Sequence, residues 1–337
     1  MRFEFYHSGL DGVEKLSVDG TVSNSIHFSH WEGNLTPAEL KADTSTEIAL
    51  NLAAAPNRDE LTRGIELVTN NHFDTDGVLS VWTVLNGERA LDLRDKLIPA
   101  AEAGDFSEFT NEAAVRASIV IQGSDQSNPD DDSGSPLARQ LAGAAIDDAK
   151  AYELVLPEVE PVLRRINEYE PLWRDAWQKI ASALESFERG ASTATEFGDV
   201  SLVTLAPDIF SPSGFNPTRH AAPYTAISHY AKGRLFIVTT PLQSGWSYRI
   251  DYPYYSWAET IVRPRIARRD FSSTLTELNR RERNGAGVWK LDNSEMTSAI
   301  KFLGQDGTLA ASTLAPDEVA GIFSAPVASG EATLAAH

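Results

Sequence analysis

The stretch Gly64-Ile-Glu-Leu-Val-Thr-Asn70 reads as a buried strand. It runs directly into the polar loop Asn71-His-Phe-Asp-Thr-Asp-Gly77 and then into an apolar run from Val78 to Leu85. That spacing predicts a helix stopping near Asn86-Gly87. An earlier segment has the same order. Ser25-Ile-His-Phe-Ser29 predicts a strand and Glu32-Gly33-Asn34 a turn. Thr36-Pro37-Ala-Glu39 then supplies an N-cap, a first-turn proline and a capping-box glutamate. The helix so started should run through Leu40, Ile48 and Leu52 and end before Pro56. Strand–loop–helix units in succession fold as a parallel α/β sheet with flanking helices, whose ligands bind beyond the carboxyl ends of the strands. The loops after both predicted strands fall there.

Length and composition narrow the function. With 337 residues the chain has room for about two domains. Its 29 Lys and Arg against 48 Asp and Glu give a net charge of −19, which argues against coating duplex nucleic acid or an anionic membrane. With no Cys, disulfides, thiolate metal sites and cysteine nucleophiles are excluded. The opening residues hold no apolar signal core and no run of about 18 apolar residues occurs, which predicts a cytoplasmic location. There is no Walker loop, dinucleotide fingerprint, G-x-S-x-G elbow or internal repeat.

The organisation predicted is an α/β domain with a parallel sheet over 1–157, a long linking helix over 158–189, a smaller basic α+β domain over 190–323 and a flexible tail over 324–337. Val162, Ile166, Leu172, Trp173, Trp177, Ile180 and Leu184 have the spacing of one amphipathic helix, kinked at Pro171. The polar stretch from Asp125 to Pro136, with Asp130, Asp131 and Asp132, reads as a solvated loop. Val200 to Leu205, Arg234 to Thr239 and Trp246 to Tyr252 read as strands.

The chemistry concentrates in His72-Phe-Asp74-Thr-Asp76-Gly77. Two carboxylates about 5 Å apart repel by roughly 3 kcal/mol at an effective dielectric of 20, so a shared proton or a divalent cation is expected between Asp74 and Asp76. His72 adds a nitrogen ligand, and a mixed His/carboxylate set suits a manganese-like ion, with magnesium as the alternative. The same spacing also occurs in an ordinary Asp-Gly turn whose carboxylates cap the next helix.

The run His72-Phe-Asp-Thr-Asp-Gly-Val-Leu-Ser80 resembles the first motif of the DHH phosphoesterase superfamily. There it follows a strand, and its two aspartates help to hold a pair of manganese ions. The resemblance implies Asp74 and Asp76 as metal ligands, with His72 as a further one. The match spans Thr69 to Leu85, and the Asp-His-His triplet of that superfamily is absent from this chain. A rebuilt second metal position would draw on His30, with Asp43 behind it and Asp105 in Ala-Gly-Asp-Phe. His27 should point to the opposite face of its strand and pack. Glu47 shares a helix face with Asp43 and faces solvent.

In the later half, Arg219 to Lys301 carries 13 basic against 7 acidic residues. Arg263, Arg265, Arg268 and Arg269 crowd into seven residues, with Arg219 and His220 upstream. Guanidinium forks match phosphate oxygens, so this cluster predicts an anion site closing over the substrate; the alternative is pairing with the acidic first domain. Tyr252 to Trp257 supplies either a stacking ring or core. These features predict a metal-dependent hydrolase of a phosphate ester or anhydride on a small anionic substrate, with Asp74, Asp76 and His72 as the catalytic set. The other readings are metal-assisted chemistry on a non-phosphate molecule and a non-catalytic binding protein.

Overall fold

A computed structural model describes residues 1–124, 134–209, 222–283, 285–291 and 299–324. Arg219, His220, the acidic residues 130–132 and the tail beyond 324 lie outside the described residues. The fold is mixed α/β and has two compact units. The first takes in Met1–Ala181, Pro223–Ala226 and Tyr254–Arg265; the second takes in Ser182–Ala222, Ile227–Pro253 and Ile266–His337.

In the first unit, β1 (Arg2–Phe3), β2 (Lys15–Val18), β3 (Ser25–Phe28) and β4 (Leu67–Thr69) form a parallel sheet in the order β1-β4-β2-β3. All four residues of β2 and all three of β4 are buried, as expected for strands covered on both faces. Helix α1 (Ser45–Ala54) packs on α2 (Thr75–Asn86), and α3 (Arg94–Asp105) lies against α2 and α4 (Glu112–Gln122). Burial of Ile48, Leu52, Val78 and Leu79 contributes about 1.5–3 kcal/mol each. α5 (Asp148–Val155) brings in the buried Tyr152, which meets Phe3, Phe5 and Phe73.

Strands β2 and β3 are parallel neighbours, yet only residues 19–24 join them, where such crossovers usually need a dozen or more residues. Two left-handed residues, Asp19 (φ 63°) and Asn24 (φ 51°), turn the chain sharply at either end. The buried Lys15 ammonium ties the end of this crossover to the segment that precedes β2. Its Nζ donates to the carbonyls of Ser23 (2.7 Å), Leu10 (2.8 Å), Val13 (3.0 Å) and Asn24 (3.3 Å). The tight return carries Asp19 directly to the carboxyl edge of the sheet.

The predicted strand and helix around residues 64–87 form as β4 and α2, with Asp74 as the N-cap and Gly87 as the C-cap. The earlier helix is shorter than expected. Residues 38–40 make only a 3-10 turn, Lys41 is extended, and α1 begins at Ser45 under Thr44, whose hydroxyl accepts the Glu47 N–H. The single helix expected over 158–188 is broken. A helical turn over Val159–Arg164 and a 3-10 turn over Ile166–Tyr169 precede α6 (Glu170–Glu188), whose second residue is Pro171. A proline ring clashes with the preceding turn but is tolerated in the first turn, so Pro171 starts a helix instead of bending one.

The second unit holds a mixed sheet of β5 (Thr193–Phe197), β6 (Val200–Thr204), β7 (Leu235–Leu242), β8 (Gly245–Asp251), β9 (Val288–Leu291) and β10 (Ala299–Leu303). Their order is β5-β6-β7-β8-β10-β9, with β6 and β7 parallel and the other pairs antiparallel. Helices α7 (Ser272–Arg281) and α8 (Pro316–Ser324) belong to this unit. Among the described residues no helix is long and apolar enough to cross a membrane.

Candidate metal centre

Beyond the carboxyl edge of the parallel sheet, each neighbouring strand delivers a ligand type. Asp19 follows β2, His30 follows β3, and His72, Asp74 and Asp76 follow β4. Asp105 arrives on the last residue of α3. Their donor atoms fall into two sets, each with all atoms within 4.8 Å of one another: Asp19, His30, Asp76 and Asp105, and Asp19, His72 and Asp74. Asp19 belongs to both. Each set can hold a divalent cation.

In the buried set, His30 Nε2 lies 3.1 Å from Asp105 Oδ2, 3.4 Å from Asp19 Oδ1 and 3.7 Å from Asp76 Oδ2. In the second, His72 Nε2 lies 2.8 Å from Asp19 Oδ2 and 3.1 Å from Asp74 Oδ2. The other ring nitrogens are already engaged. His30 Nδ1 donates to the Asp43 main-chain carbonyl at 2.6 Å, and His72 Nδ1 to Asn71 Oδ1 at 2.9 Å. With Nδ1 as donor, each neutral ring presents an Nε2 lone pair to the carboxylates, as metal-binding histidines do when a carbonyl or amide oxygen holds their other nitrogen. His30 Nε2 and Asp19 Oδ2 are both buried and are faced only by other members of the cluster.

The carboxylates are held from behind. Asp76 Oδ2 accepts the Ser45 N–H and Oδ1 the Thr46 N–H, both at 2.7 Å, so this acid sits on the positive N-terminus of α1. Asp74 Oδ1 caps α2 through the Gly77 N–H at 2.7 Å, leaving Oδ2 to His72. The Ser45 hydroxyl donates to Asp19 Oδ1 at 2.9 Å. Asn70 ties the loops together: its Oδ1 accepts the Gly20 N–H, its Nδ2 donates to Tyr152 Oη, and Tyr152 Oη donates to the His72 carbonyl. A Cβ on Gly20 would stand 2.1 Å from Asn71 Oδ1 and 2.7 Å from Asn70 Oδ1, so a side chain there would displace the asparagines beside Asp19.

Protons distribute accordingly. Burial, and next the Asp19 charge, raise Asp76 to about 7. Burial, with Asp74 and Asp76, pushes Asp105 well above the usual carboxyl range. For His72 burial opposes charge, but Asp19 and Asp74 outweigh it and raise the ring to about 12. His30 is likewise raised against burial by Asp105 and Asp19. Asp19 stays ionised, because His72 and His30 overcome its burial. Four carboxylates facing two imidazoles become neutral only by taking up protons or a cation.

Several expected site residues lie elsewhere or act otherwise. Asp74 and Asp76 fall in different sets of ligand atoms: Asp74 caps α2 while Asp76 is held by the N-terminus of α1, and the sets are joined through Asp19. Asp43 is not among the ligand atoms. Its carboxylate accepts N–H groups from Ile261, Val262 (2.8 Å) and Arg263 (2.9 Å), and the Arg263 guanidinium at 2.8 Å. Arg263 is correspondingly not an anion site, being paired with Asp43, Glu102 and Glu108. Arg269 pairs with Asp199, and Arg268 lies 4.5 Å over the Tyr252 ring. Arg265 meets Glu32 at 3.2 Å while its side chain stays 84% exposed. Glu47 pairs with Arg94 at 2.8 Å. Trp257 turns out to be a wall of the site, edge-on to His30 with ring centroids 4.9 Å apart, while Trp31 lies 5.5 Å from His72.

Asp19 is the member of both candidate ligand sets that sequence reasoning missed. Its signal is Leu16-Ser17-Val18 followed by Asp19-Gly20, a short strand ending on an acid and a glycine, much as β4 ends on polar residues.

A protein family described as a family of unknown function, DUF6687, matches residues 2–319. Among solved structures, a pGpG-specific phosphodiesterase, PggH from Vibrio cholerae, matches 87% of this chain and 80% of its own at 10% identity, with a TM-score of 0.36. No curated protein matches the chain.

Proposed function

The chain belongs to the DUF6687 family, and from its site we propose that it is a metal-dependent hydrolase of a phosphate ester or anhydride on a small anionic substrate such as a nucleotide. One observation carries this reading: Asp19 is shared by two sets of ligand atoms, and in each set a histidine Nε2 faces it, His72 at 2.8 Å and His30 at 3.4 Å. Asp19, His30, Asp76 and Asp105 would hold one divalent ion, and Asp19, His72 and Asp74 a second. The His/carboxylate mixture suits manganese, with magnesium as the alternative. The resemblance of His72 to Ser80 to the first DHH phosphoesterase motif supports the phosphate assignment.

When bound, a pair of divalent cations supplies positive charge to phosphate oxygens and acidifies a water molecule. The protein's own contribution is preorganisation. The α1 N-terminus fixes both oxygens of Asp76, the Asp43 carbonyl and Asn71 hold the two rings with Nε2 forward, Trp257 and Phe106 enclose the buried His30 ring, and Trp31 lies beside His72. Arg265, exposed and two residues' reach from the His30 loop through Glu32, is the arginine we assign to the substrate's negative charge.

The high proton affinity of His72 favours a second reading, a binding protein whose cluster is neutralised by protons alone. Elemental analysis of the purified protein, thermal shift with Mn²⁺, and hydrolysis of bis(p-nitrophenyl) phosphate and pyrophosphate separate the two. Bound metal with hydrolysis lost in Asp76→Asn supports the hydrolase. Absence of an ion, with no thermal shift on adding Mn²⁺, supports the second reading.

A further inference from the structure

The segment Tyr254–Arg265 comes from the later half of the sequence but is part of the first unit, and it grips His30 from three sides. The Glu259 N–H donates to the His30 carbonyl at 2.7 Å, and Glu259 is itself anchored by Lys41 (2.6 Å) and Asn34 (2.7 Å). Trp257 lies edge-on to the imidazole. Ile261, Val262 and Arg263 hold the Asp43 carboxylate, and the Asp43 main-chain carbonyl receives His30 Nδ1.

Arg263 links this side to the opposite one. Its guanidinium donates to Glu102 at 2.7 Å and to both oxygens of Glu108 at 2.8 and 2.6 Å, and lies 4.9 Å over the Phe106 ring. Those three residues flank Asp105. A planar fork with five donors in fixed directions holds partners on both sides in one geometry, a constraint that a compact, freely rotating ammonium does not impose. Arg263 therefore spans the two backbone segments that carry His30 and Asp105, whose ligand atoms stand 3.1 Å apart.

We propose that Arg263 is a positioning residue for the buried ligand set, acting through Asp43 on the His30 ring and through Glu102, Phe106 and Glu108 on Asp105. The proposal rests on the metal-binding reading above and assigns the effect to one set only. The Asp19, His72 and Asp74 set has its own supports in Asn71, Asn70 and Tyr152.

The test is titration of the full-length, metal-stripped protein with Mn²⁺, following free ion by electron paramagnetic resonance. It compares wild type, Arg263→Lys, Glu108→Gln, and each of these in a His72→Asn background that isolates the buried set. The expected result is about a tenfold weakening of the buried class in Arg263→Lys, the size usual for outer-shell changes. Glu108→Gln should shift the same class in the same direction, while the other class changes less than about twofold. Glu108→Gln removes only one arm of the network and keeps the test decisive should Arg263→Lys fail to fold. Wild-type binding unchanged by either substitution overturns the positioning role alone. Equal weakening of both classes alongside a lower melting temperature also overturns it, because that marks general structural loss. A wild type that binds no Mn²⁺ overturns both this proposal and the metal reading.

Discussion

Asp19 Oδ2 stands 2.8 Å from His72 Nε2, although His72 Nδ1 is already donated to Asn71 and the neutral ring has only a lone pair to offer. Two lone pairs at that distance repel, so a proton or a metal ion belongs between them. The other oxygen of Asp19 faces His30 at 3.4 Å, which makes this one carboxylate common to both halves of the site.

Asp19→Asn should therefore weaken Mn²⁺ at both classes together, by about 100-fold or more, since a shared ligand is lost and changes to residues that only support a ligand already reach about 10–100-fold. Asp74→Asn should affect only the class that contains His72. Isothermal titration of the two variants checks the asymmetry.

Metal binding should release protons. With Asp76 raised to about 7 and His72 to about 12, the metal-free cluster holds protons at neutral pH that a cation must displace. Apparent affinity should fall as pH drops. Titrations at pH about 7 in buffers of different ionisation enthalpy should give heats that scale with the buffer, and heats independent of buffer would contradict the proton assignment.

Asp43 links stability to acid pH. Burial works against its charge, but the N–H groups of Val262, Ile261 and Arg263 hold its carboxyl below the ordinary 3.8. A depressed folded value means the contribution is fully present above the unfolded pKa and fades as pH falls through the folded one. Wild type should be more stable than Asp43→Asn at pH about 7, with the gap closing towards pH about 3. Urea denaturation across that range measures it.

Lys15→Met should cost about 2–4 kcal/mol, because four carbonyls, two before β2 and two in the β2–β3 crossover, lose a buried charged donor. The substitution should also lower Mn²⁺ affinity, since Asp19 opens that crossover. A thermal melt and a metal titration on the same sample test both effects.

Much of the site's neighbourhood was legible from local pattern. The strand–loop–helix around His72 to Asp76 declares itself through apolar runs on either side of a capped polar loop, and the approximate place of His30 follows from the same logic. Pro171 marked a real discontinuity, though the chain there begins a new helix where periodicity alone predicted one continuous rod. Arg263 illustrates the opposite case. Four arginines in seven residues carry the same local signal whether they face phosphate or carboxylate, and the three acids that claim Arg263 are more than 150 residues away in sequence.

Sequence alone determined that a parallel sheet would place polar loops at one edge, because apolar spacing and capping are local properties of the chain. Only the tertiary structure decided which acids meet there. Asp74 and Asp76, two residues apart in sequence, part company because helix capping orients them differently, whereas Asp19, some 50 residues earlier, joins both sets through strand order and a left-handed turn. Ligand convergence depends on long-range register, which no window of neighbouring residues encodes.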